Sequence, residues 1–197
     1  MDGYPKTVKI KDGTSVVIRP LARNDGHALL AFFRALPVED RLFLREDVTR
    51  QDVIDRWISH LNYDKILPLI AESDSAIIGD ATLHFSQYGW HRHMAEIRCV
   101  VAREYQKRGL GTILMHELVS RASQRGVDKI RVEMMDNQIS AQIVFRKLGF
   151  KKEAELRDFV IDMDGKCHSL VIMVNDVSEL WKKMEDLLID YDFSTER

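Results

Sequence analysis

The residues from Gln106 to Gly111 have the types and spacing of a site that binds phosphate groups. The run Gln106-Lys107-Arg108-Gly109-Leu110-Gly111 follows an apolar segment and precedes leucines spaced four apart. The start of a helix has unpaired amides and the positive end of its dipole, and both favour phosphate oxygens. Glycines let the backbone approach a diphosphate closely, and Lys107 and Arg108 add positive charge. A tight turn without a ligand has the same pattern, so this segment alone leaves both interpretations open.

The two common glycine-rich phosphate motifs do not fit this segment. A dinucleotide-binding fingerprint requires a third glycine and an acidic residue on a second strand, and a P-loop requires Gly-Lys followed by Ser or Thr. Neither pattern surrounds Gly109 and Gly111. A second signal follows further along the chain, at Asn137 and then at Phe145-Arg146-Lys147-Leu148-Gly149-Phe150.

These two segments, in this order, resemble the motifs of the GNAT family of N-acetyltransferases. Gln106-x-x-Gly109-x-Gly111 matches the family's diphosphate motif, and Asn137 with Lys147-Leu148-Gly149-Phe150 matches its next motif. The resemblance covers roughly residues 16–174. It implies an α/β (α+β) fold with a mixed, mostly antiparallel sheet and helices on both faces. It also implies a GNAT-type N-acetyltransferase that uses acetyl-CoA as co-substrate, with no metal expected.

The resemblance further implies where acetyl-CoA binds. Two neighbouring strands, Met94 to Val101 and Lys129 to Met135, should splay apart where the pantetheine arm enters. Three groups of residues should then hold the co-substrate: the backbone of Cys99, Val100 and Val101 beside the pantetheine; Gln106, Lys107, Arg108, Gly109, Leu110, Gly111 and Thr112 around the diphosphate; and Asn137 and Phe145 beside the pantetheine arm.

Glu96 is the candidate for the general base. An amine attacks a thioester only when it is neutral, and a free lysine has a pKa of about 10.4, so a nearby carboxylate is useful. Glu96 lies in an apolar strand, where a carboxylate is costly unless it works or is paired. An ion pair with Arg98 on the same strand face is the alternative.

The subfamily is suggested by the residues around Glu96. Ala95-Glu96-Ile97-Arg98-Cys99-Val100-Val101, and Val17-Ile18-Arg19-Pro20 followed by Phe32-Phe33, resemble the bacterial protein-lysine (acyl-CoA synthetase) acetyltransferases. In that subfamily a glutamate occupies the matching place. The expected acceptor is therefore a primary amine, either a protein lysine or a small molecule.

Phe145 departs from the family pattern. Many members have a tyrosine here that protonates the departing thiolate, and a phenylalanine cannot donate a proton. A thiol with a pKa of about 8.5 is a tolerable leaving group near neutral pH, so water can protonate it. The general acid is unassigned, and a catalytically weak or inactive acyl-CoA-binding regulatory module is the alternative function.

Several other polar residues invite interpretation. His84, His91 and His93 have no cysteine or acid at metal-ligand spacing, so we interpret them as surface or acceptor-site residues. A set of acidic residues could attract a cationic acceptor, although a solvated helix face is the simpler interpretation. The set comprises Glu39, Asp40, Glu46 and Asp47.

The elements that must position these residues follow from hydrophobic periodicity and turn signals. Predicted strands are Thr7 to Ile10, Ser15 to Ile18, Ile66 to Ala71, Ala76 to Phe85, Met94 to Val101, Lys129 to Met135, Phe159 to Met163 and His168 to Val174. Pro68 favours an edge position or a bulge for the third of these. Four helices are predicted before the last one. The first begins at Asn24 or Asp25, and the second runs from about Val38 to His60 with Thr49 and Asp52 as a capping box. The third runs from Gly109 to Gln124, and the fourth has Ala141, Val144, Phe145 and Leu148 on one face.

A last helix begins at Asp176, which with Glu179 resembles a capping box. Its apolar face, Val177, Leu180, Trp181, Met184, Leu187 and Leu188, should pack either on the domain or on a second copy. The predicted division is residues 1–175 for the acyl-CoA-binding domain and 176–197 for this helix and a tail.

Composition places the chain among ordinary globular proteins. It has 197 residues, 45% hydrophobic and 30% charged, with a net charge of −2 and scattered basic residues. Neither nucleic acid nor membrane is an expected partner, and a homodimer is possible. Two cysteines and the lack of a signal-like apolar segment predict a reduced, cytoplasmic protein.

Overall fold

The computed structural model describes residues 3–41 and 44–188, with side chains as far as Asp186. Its strands form one eight-stranded sheet in the order β1-β2-β3-β4-β5-β6-β8-β7. The strands are β1 (Lys6–Lys9), β2 (Ser15–Pro20), β3 (Ile66–Ser73), β4 (Ala76–Phe85), β5 (Met94–Val101), β6 (Lys129–Met135), β7 (Lys151–Ile161) and β8 (Cys167–Asp176). The helices are α1 (Gly26–Ala35), α2 (Val38–Arg41), α3 (Gln51–Ser59), α4 (Leu110–Gln124), α5 (Ile139–Lys147) and α6 (Val177–Leu188).

The sheet is mixed and mostly antiparallel, as predicted, because β5 and β6 pair in parallel while the other neighbouring strands pair antiparallel. Helices cover both faces. Alternation along each strand sends one set of apolar side chains towards α1 and α3, and the other set towards α4 and α6. Phe33 and Ile54 are buried on the first face, and Leu114 and Leu180 on the second.

The predicted splay between β5 and β6 is confirmed. The two strands pair at only three positions, Met94 with Lys129, Ala95 with Ile130, and Glu96 with Arg131. Beyond these positions β5 continues beside β4, and β6 continues beside β8. A gap therefore opens in the middle of the sheet, and Glu96 lies at its closed end.

The predicted long helical region from Val38 to His60 is wrong as a single element. It is divided into α2 and α3, with turns between them in the described part. Thr49 is not a cap, because Arg50 precedes α3 and no side chain caps it. The Thr49 hydroxyl instead donates to Asp47 Oδ1 over 2.6 Å.

The prediction that Pro68 lies at an edge or a bulge is wrong, since β3 lies between β2 and β4 and its irregularity falls at Ala71 and Glu72. Pro68 is tolerated because β2 ends beside it, where Leu21 N donates to Pro68 O over 3.0 Å. The Leu21 carbonyl, which a non-proline residue could have bonded, accepts the Tyr63 hydroxyl over 2.7 Å.

Two predictions about the later helices need correction. Val144 is 52% exposed, so it does not belong to the buried face of α5. Asp176 is the last residue of β8, and its Oδ1 accepts a hydrogen bond from Lys129 Nζ over 2.5 Å. The α6 residues Leu180 and Met184 are buried in the same core as α4, so α6 packs on its own chain.

The side chains of Leu187 and Leu188 lie outside the described residues, and the division of the chain at residue 175 remains a prediction. Within residues 3–41 and 44–188, each helix is too short or too polar to cross a membrane.

Candidate active site

The segment before α4 forms a backbone cradle at the open end of the gap. Gly109 precedes the helix with φ of +90°, a conformation that a side chain would strain, and Lys107 also has a positive φ of +59°. The first bond of the helix runs from Ile113 N to Gly109 O over 3.1 Å. The amides of the residues before Ile113 therefore lack helical acceptors and are available to an anion.

Gln106 and Arg108 hold this cradle in place. Gln106 Nε2 donates to the carbonyl of Val101 over 2.9 Å, which ties the loop to β5. The carbonyl of Arg108 accepts Lys11 N over 3.0 Å, and its guanidinium pairs with Asp12. The turn between β1 and β2 thus supports the loop from a distant part of the sequence. Sequence reasoning missed Lys11 and Asp12, because no local pattern links them to it.

The walls of the gap carry the other residues expected to bind acetyl-CoA. Ala102 N bonds Ile78 O on β4, so by strand alternation Val100 also turns its backbone towards β4, opposite Asp80. Cys99 and Val101 turn their backbones towards the gap. Of the three β5 residues in the prediction, these two are the ones placed to bond a pantetheine arm.

The last two residues of the prediction, Asn137 and Phe145, lie in the segment after β6. Asn137 follows β6 and is exposed. Phe145 is half-buried on α5, with its ring edge-on to Phe150 at a centroid distance of 5.1 Å. The free amides, the gap and the backbone groups of Cys99 and Val101 therefore fit an acyl-CoA, with the diphosphate at α4 and the thioester towards Glu96.

Glu96 lies in a cluster of opposite charges at the closed end of the gap. Its Oε1 is 2.9 Å from Arg98 Nε and 2.8 Å from Arg45, and its Oε2 is 3.0 Å from Arg131. Glu133 shares Arg45 over 2.5 Å and Arg131 over 3.2 Å. The predicted ion pair with Arg98 is present, together with two further guanidiniums that the sequence did not indicate.

This cluster sets the charge of Glu96. Burial alone would raise the pKa of Glu96, because only 8% of the residue is exposed. Arg98 above all, with Arg45 and Arg131, outweighs burial and holds the pKa below its usual value. Glu96 is therefore a carboxylate throughout the neutral range. A cleft lined in part by His91, Met94 and Arg131 opens beside it.

His84 lies on β4, directly opposite Glu96 of β5. Burial, together with the charge of Arg98, lowers the pKa of His84 to about 4, so its imidazole is neutral near pH 7. Its Nε2 is 3.0 Å from the Thr82 hydroxyl. In the part of the chain that the structure describes, no cluster of three histidine, cysteine or acidic side chains is arranged to hold a metal ion.

The acidic residues near α2 have partners within the chain. Asp40 and Glu39 pair with Arg103, and Asp47 with Thr49, while Glu46 accepts the Trp57 indole N–H over 2.7 Å. These contacts bind the α2–α3 region to itself and to the segment after β5.

Asp80 is a polar residue of this region that the sequence did not single out. It lies on β4 between Ile70 of β3 and Val100 of β5, on the same sheet face as Glu96. Burial raises the pKa of Asp80 to about 7. Its signal in the sequence is that it is the single acidic residue of the strand Ala76–Phe85.

Comparison with known proteins connects these features to a family. The chain matches the model of the acetyltransferase (GNAT) family over residues 22–150. It is 27% identical over 103 residues to the probable N-acetyltransferase camello of Xenopus tropicalis, an alignment covering 52% of this chain. The chain spans 47% of the length of that relative.

Solved structures share the fold. The GNAT domain of S. lividans PAT superposes with a TM-score of 0.73 at 18% identity, covering 89% of this chain and 98% of that domain. The acetyltransferase YncA of Salmonella typhimurium, solved with acetyl-CoA, gives 0.68 at 17% identity, covering 82% of this chain and 94% of that one. At these identities the likeness concerns the fold.

Proposed function

Because the chain belongs to the acetyltransferase (GNAT) family, we propose that it transfers the acetyl group of acetyl-CoA to a primary amine by direct attack. The observation that carries the proposal is the cradle of free amides at α4, placed at the mouth of the gap between β5 and β6. The fold shared with YncA, which was solved with acetyl-CoA, supports the same donor.

Glu96 is the proposed proton acceptor. It lies at the closed end of the gap and is ionised at neutral pH, so it is always in the form that can accept a proton. Its low pKa makes it a weak base, because a base works best when its pKa is near the operating pH. A water between Glu96 and the ammonium fits this geometry, since the arginines occupy both carboxylate oxygens.

The acceptor in this proposal is a protein lysine or a small-molecule amine. The resemblance of the segment from Ala95 to Val101 to the bacterial protein-lysine acetyltransferases supports the first. The cleft beside Glu96 is lined by His91 and Arg131 as well as by Met94, so it offers polar and apolar contacts to either acceptor.

Release of free thiol from acetyl-CoA, followed with a panel of amines and with labelled acetyl-CoA in a lysate, tests the activity and the acceptor class. On the best acceptor, Glu96→Gln should lower kcat about 100-fold or more, the usual contribution of a positioned base. Glu133→Gln is the matched control, because Glu133 shares Arg45 and Arg131 with Glu96 but lies on β6, two residues beyond the last position paired with β5. Equal losses in the two variants would show that the charge cluster matters only for structure.

A second function is favoured by Phe145, whose ring packs on Phe150 and has no proton to give. In that case the chain binds acyl-CoA as a regulatory module with little or no turnover. Tight binding of acetyl-CoA by calorimetry, without thiol release from any acceptor, would support it and exclude the first proposal.

A homodimer also remains a proposal. The described apolar residues of α6 pack on α4, which leaves less of that helix for a partner copy. The mass in solution, measured by light scattering, distinguishes a monomer from a dimer.

A further inference from the structure

The loop that joins β4 to β5, residues 86–93, forms one wall of the cleft beside Glu96. A single turn of 3₁₀ helix, Gly89–His91, shapes its tip. The loop and the residue after it supply three of the residues that line the cleft: Ser86, His91 and Met94. An acceptor amine that meets Glu96 in this cleft therefore passes beside the β4–β5 loop.

The tip of the β4–β5 loop exposes two aromatic rings. Tyr88 is 85% exposed and Trp90 is 84% exposed, the highest values among the large apolar and aromatic side chains of the described residues. Single exposed apolar residues are ordinary, but two aromatic rings at the rim of a cleft are typical of surfaces that bind another protein. The Trp90 ring also lies edge-on to His91, with 6.0 Å between the ring centroids, so the tip continues into the cleft wall.

The base of the β4–β5 loop is fixed to other parts of the chain. The carbonyl of His93 accepts Asp128 N over 2.9 Å, which ties the end of the loop to the start of β6. Gln87 Nε2 donates to the carbonyl of Asp64 over 3.1 Å, which ties the start of the loop to the segment before β3. The two rings are therefore presented on a preformed support, and this lowers the entropy cost of binding a partner.

The β4–β5 loop carries positive charge. Residues 86–93 include Arg92 and two histidines and no acidic residue. Arg92 is exposed, and its guanidinium makes no ion pair with a carboxylate in residues 3–41 and 44–186. A carboxylate of a partner can therefore pair with it without displacing a contact within the chain.

The charges around Glu96 show the same excess. Three guanidiniums surround two carboxylates there, and the set comprises Arg45, Arg98, Arg131, Glu96 and Glu133. An acceptor that carries only positive charges is repelled at such a site, although its amine must reach Glu96. An acceptor that carries carboxylates beside its amine is attracted, because Arg98 and Arg131 are both partly exposed.

The size of the cleft distinguishes between acceptor classes. Its volume is about 110 Å³, whereas pockets that bury a small-molecule ligand usually measure about 300–1,000 Å³. It therefore receives the end of a side chain better than a whole metabolite. A lysine fits, because its ammonium can reach towards Glu96 while its apolar stem lies against Met94. The residues that flank this lysine then remain outside the cleft, where they contact the loop.

We propose that the β4–β5 loop is the docking surface for a protein acceptor in which acidic residues flank the lysine that is acetylated. Tyr88 and Trp90 contact the apolar part of this segment, while Arg92 and Arg98 pair with its carboxylates. The lysine nitrogen forms the C–N bond, and its proton passes through water to Glu96. The C–S bond breaks, and its electron pair goes to sulfur, which takes a proton from solvent. This inference rests on the proposed function and names its acceptor class.

The first experiment uses a pair of peptides with one lysine each, flanked on both sides by glutamates in one peptide and by glutamines in the other. At about 50 mM salt, kcat/KM should be at least about tenfold higher for the glutamate peptide. The preference should shrink at about 0.5 M salt, because salt screens exposed charges. A smaller preference, or one that does not depend on salt, would overturn the proposal.

The second experiment removes the two rings. Tyr88→Ala combined with Trp90→Ala should raise KM for the glutamate peptide about tenfold or more, because aromatic residues contribute most of the binding energy at protein interfaces. The dissociation constant of acetyl-CoA should not change, since the loop precedes β5 and the cradle follows it. Phe159→Ala is the matched control, because Phe159 is 63% exposed on β7, with β6 and β8 between it and β5. Equal effects of the loop and control variants on KM would overturn the proposal.

The third experiment removes the exposed charge. Arg92→Gln should lower the preference for the glutamate peptide about threefold or more, because a rim charge acts on a charged partner at low salt. Arg50→Gln removes another exposed guanidinium, outside the cleft, and is the control that should keep the full preference. An unchanged preference in Arg92→Gln would show that the loop does not read the acidic residues.

A binding measurement separates this inference from the proposed function. Fluorescence anisotropy of the labelled peptides, with the protein saturated with coenzyme A, reports docking without turnover. If the wild type releases no thiol with any amine, butylamine included, the proposed function fails, and docking is then decided by anisotropy alone. If the wild type acetylates butylamine but binds both peptides equally, only this inference fails. A dimer in light scattering that the double alanine variant converts to a monomer would also overturn it, because a second copy would then cover the rings.

Discussion

Glu96 and Asp80 lie on the same face of one sheet, on adjacent strands, yet their surroundings have opposite effects. Glu96 touches three guanidiniums, which keep it ionised although it is nearly buried. Asp80 lies among apolar side chains, and burial holds its proton up to about pH 7. Both side chains end in a carboxyl group and lie on the same face, so the opposite shifts of their pKa values come from their neighbours.

The comparison shows why a carboxylate on a strand cannot be assigned a role from its position. A buried carboxylate with neighbouring guanidiniums is a stable anion and has little affinity for protons. A buried carboxyl group without a neighbouring positive charge is a weaker acid, whose pKa rises towards neutral pH. The same surroundings also act on folding, because a shifted pKa is a change in stability with pH. Folding free energies can therefore test the comparison without a substrate.

The largest expected effect is a gain of stability in Asp80→Asn. The usual pKa of 3.8 is raised to about 7 in the fold, so the unfolded chain releases this proton first as pH rises. Wild-type stability contributed by the protonated form is complete below about pH 4 and is lost as pH rises to about 7. At pH 8 the variant should gain up to about 4 kcal/mol relative to wild type, and at pH 4 much less. Urea unfolding at the two pH values measures this. A variant that is less stable at pH 8 would indicate that the ionised Asp80 has a partner.

The opposite sign and a smaller effect are expected for Glu96→Gln. The pKa of Glu96 is lowered in the fold, so its stabilising contribution is present above the usual range and is lost as pH falls through the folded value. At pH 7 the variant should lose about 1–3 kcal/mol, because the guanidiniums lose a charged acceptor. The loss should shrink below pH 4. The same urea measurements check it, and a loss independent of pH would show that packing, not charge, accounts for it.

The smallest effect is expected for Arg45→Gln. The Arg45 side chain is 45% exposed, and Arg98 and Arg131 remain to compensate Glu96. The loss of stability should stay below about 1 kcal/mol. The pKa of Glu96 should rise, so the acid limb of the kcat profile should move to higher pH. Arg50→Gln, which removes an exposed pair with Asp52, is the control and should leave that limb in place.

The sequence predicted the donor side of the site better than the acceptor side. The cradle and its strand and helix are local patterns, so the start of α4 could be expected from neighbouring residues. The splay of β5 and β6 was expected from the resemblance to the family. The charge state of Glu96 could not be predicted from its neighbours in sequence, because Arg45 and Arg131 reach it from separate segments. Asp80 left no motif, since a single acid in a strand acquires its pKa only from packing across β3, β5 and α1.

The helical elements show the same limit. The apolar spacing from Val38 to His60 favoured one helix, yet the contacts of Arg103 with α2 and of Glu46 with Trp57 hold a turn between two helices. Pro68 lies inside the sheet because Tyr63 bonds the carbonyl of Leu21. Partners distant in sequence decided both cases.

The β1–β2 hairpin has a practical consequence for work on this chain. The family match begins at residue 22, so the hairpin lies outside it, yet Lys11 and Asp12 buttress Arg108 in the cradle. Trimming the chain to the matched region, or attaching a bulky fusion at this hairpin, therefore disturbs the contacts that support the cradle before α4, while each motif residue stays intact. A loss of acetyl-CoA affinity in such a shortened protein would report on the missing buttress rather than on the motif.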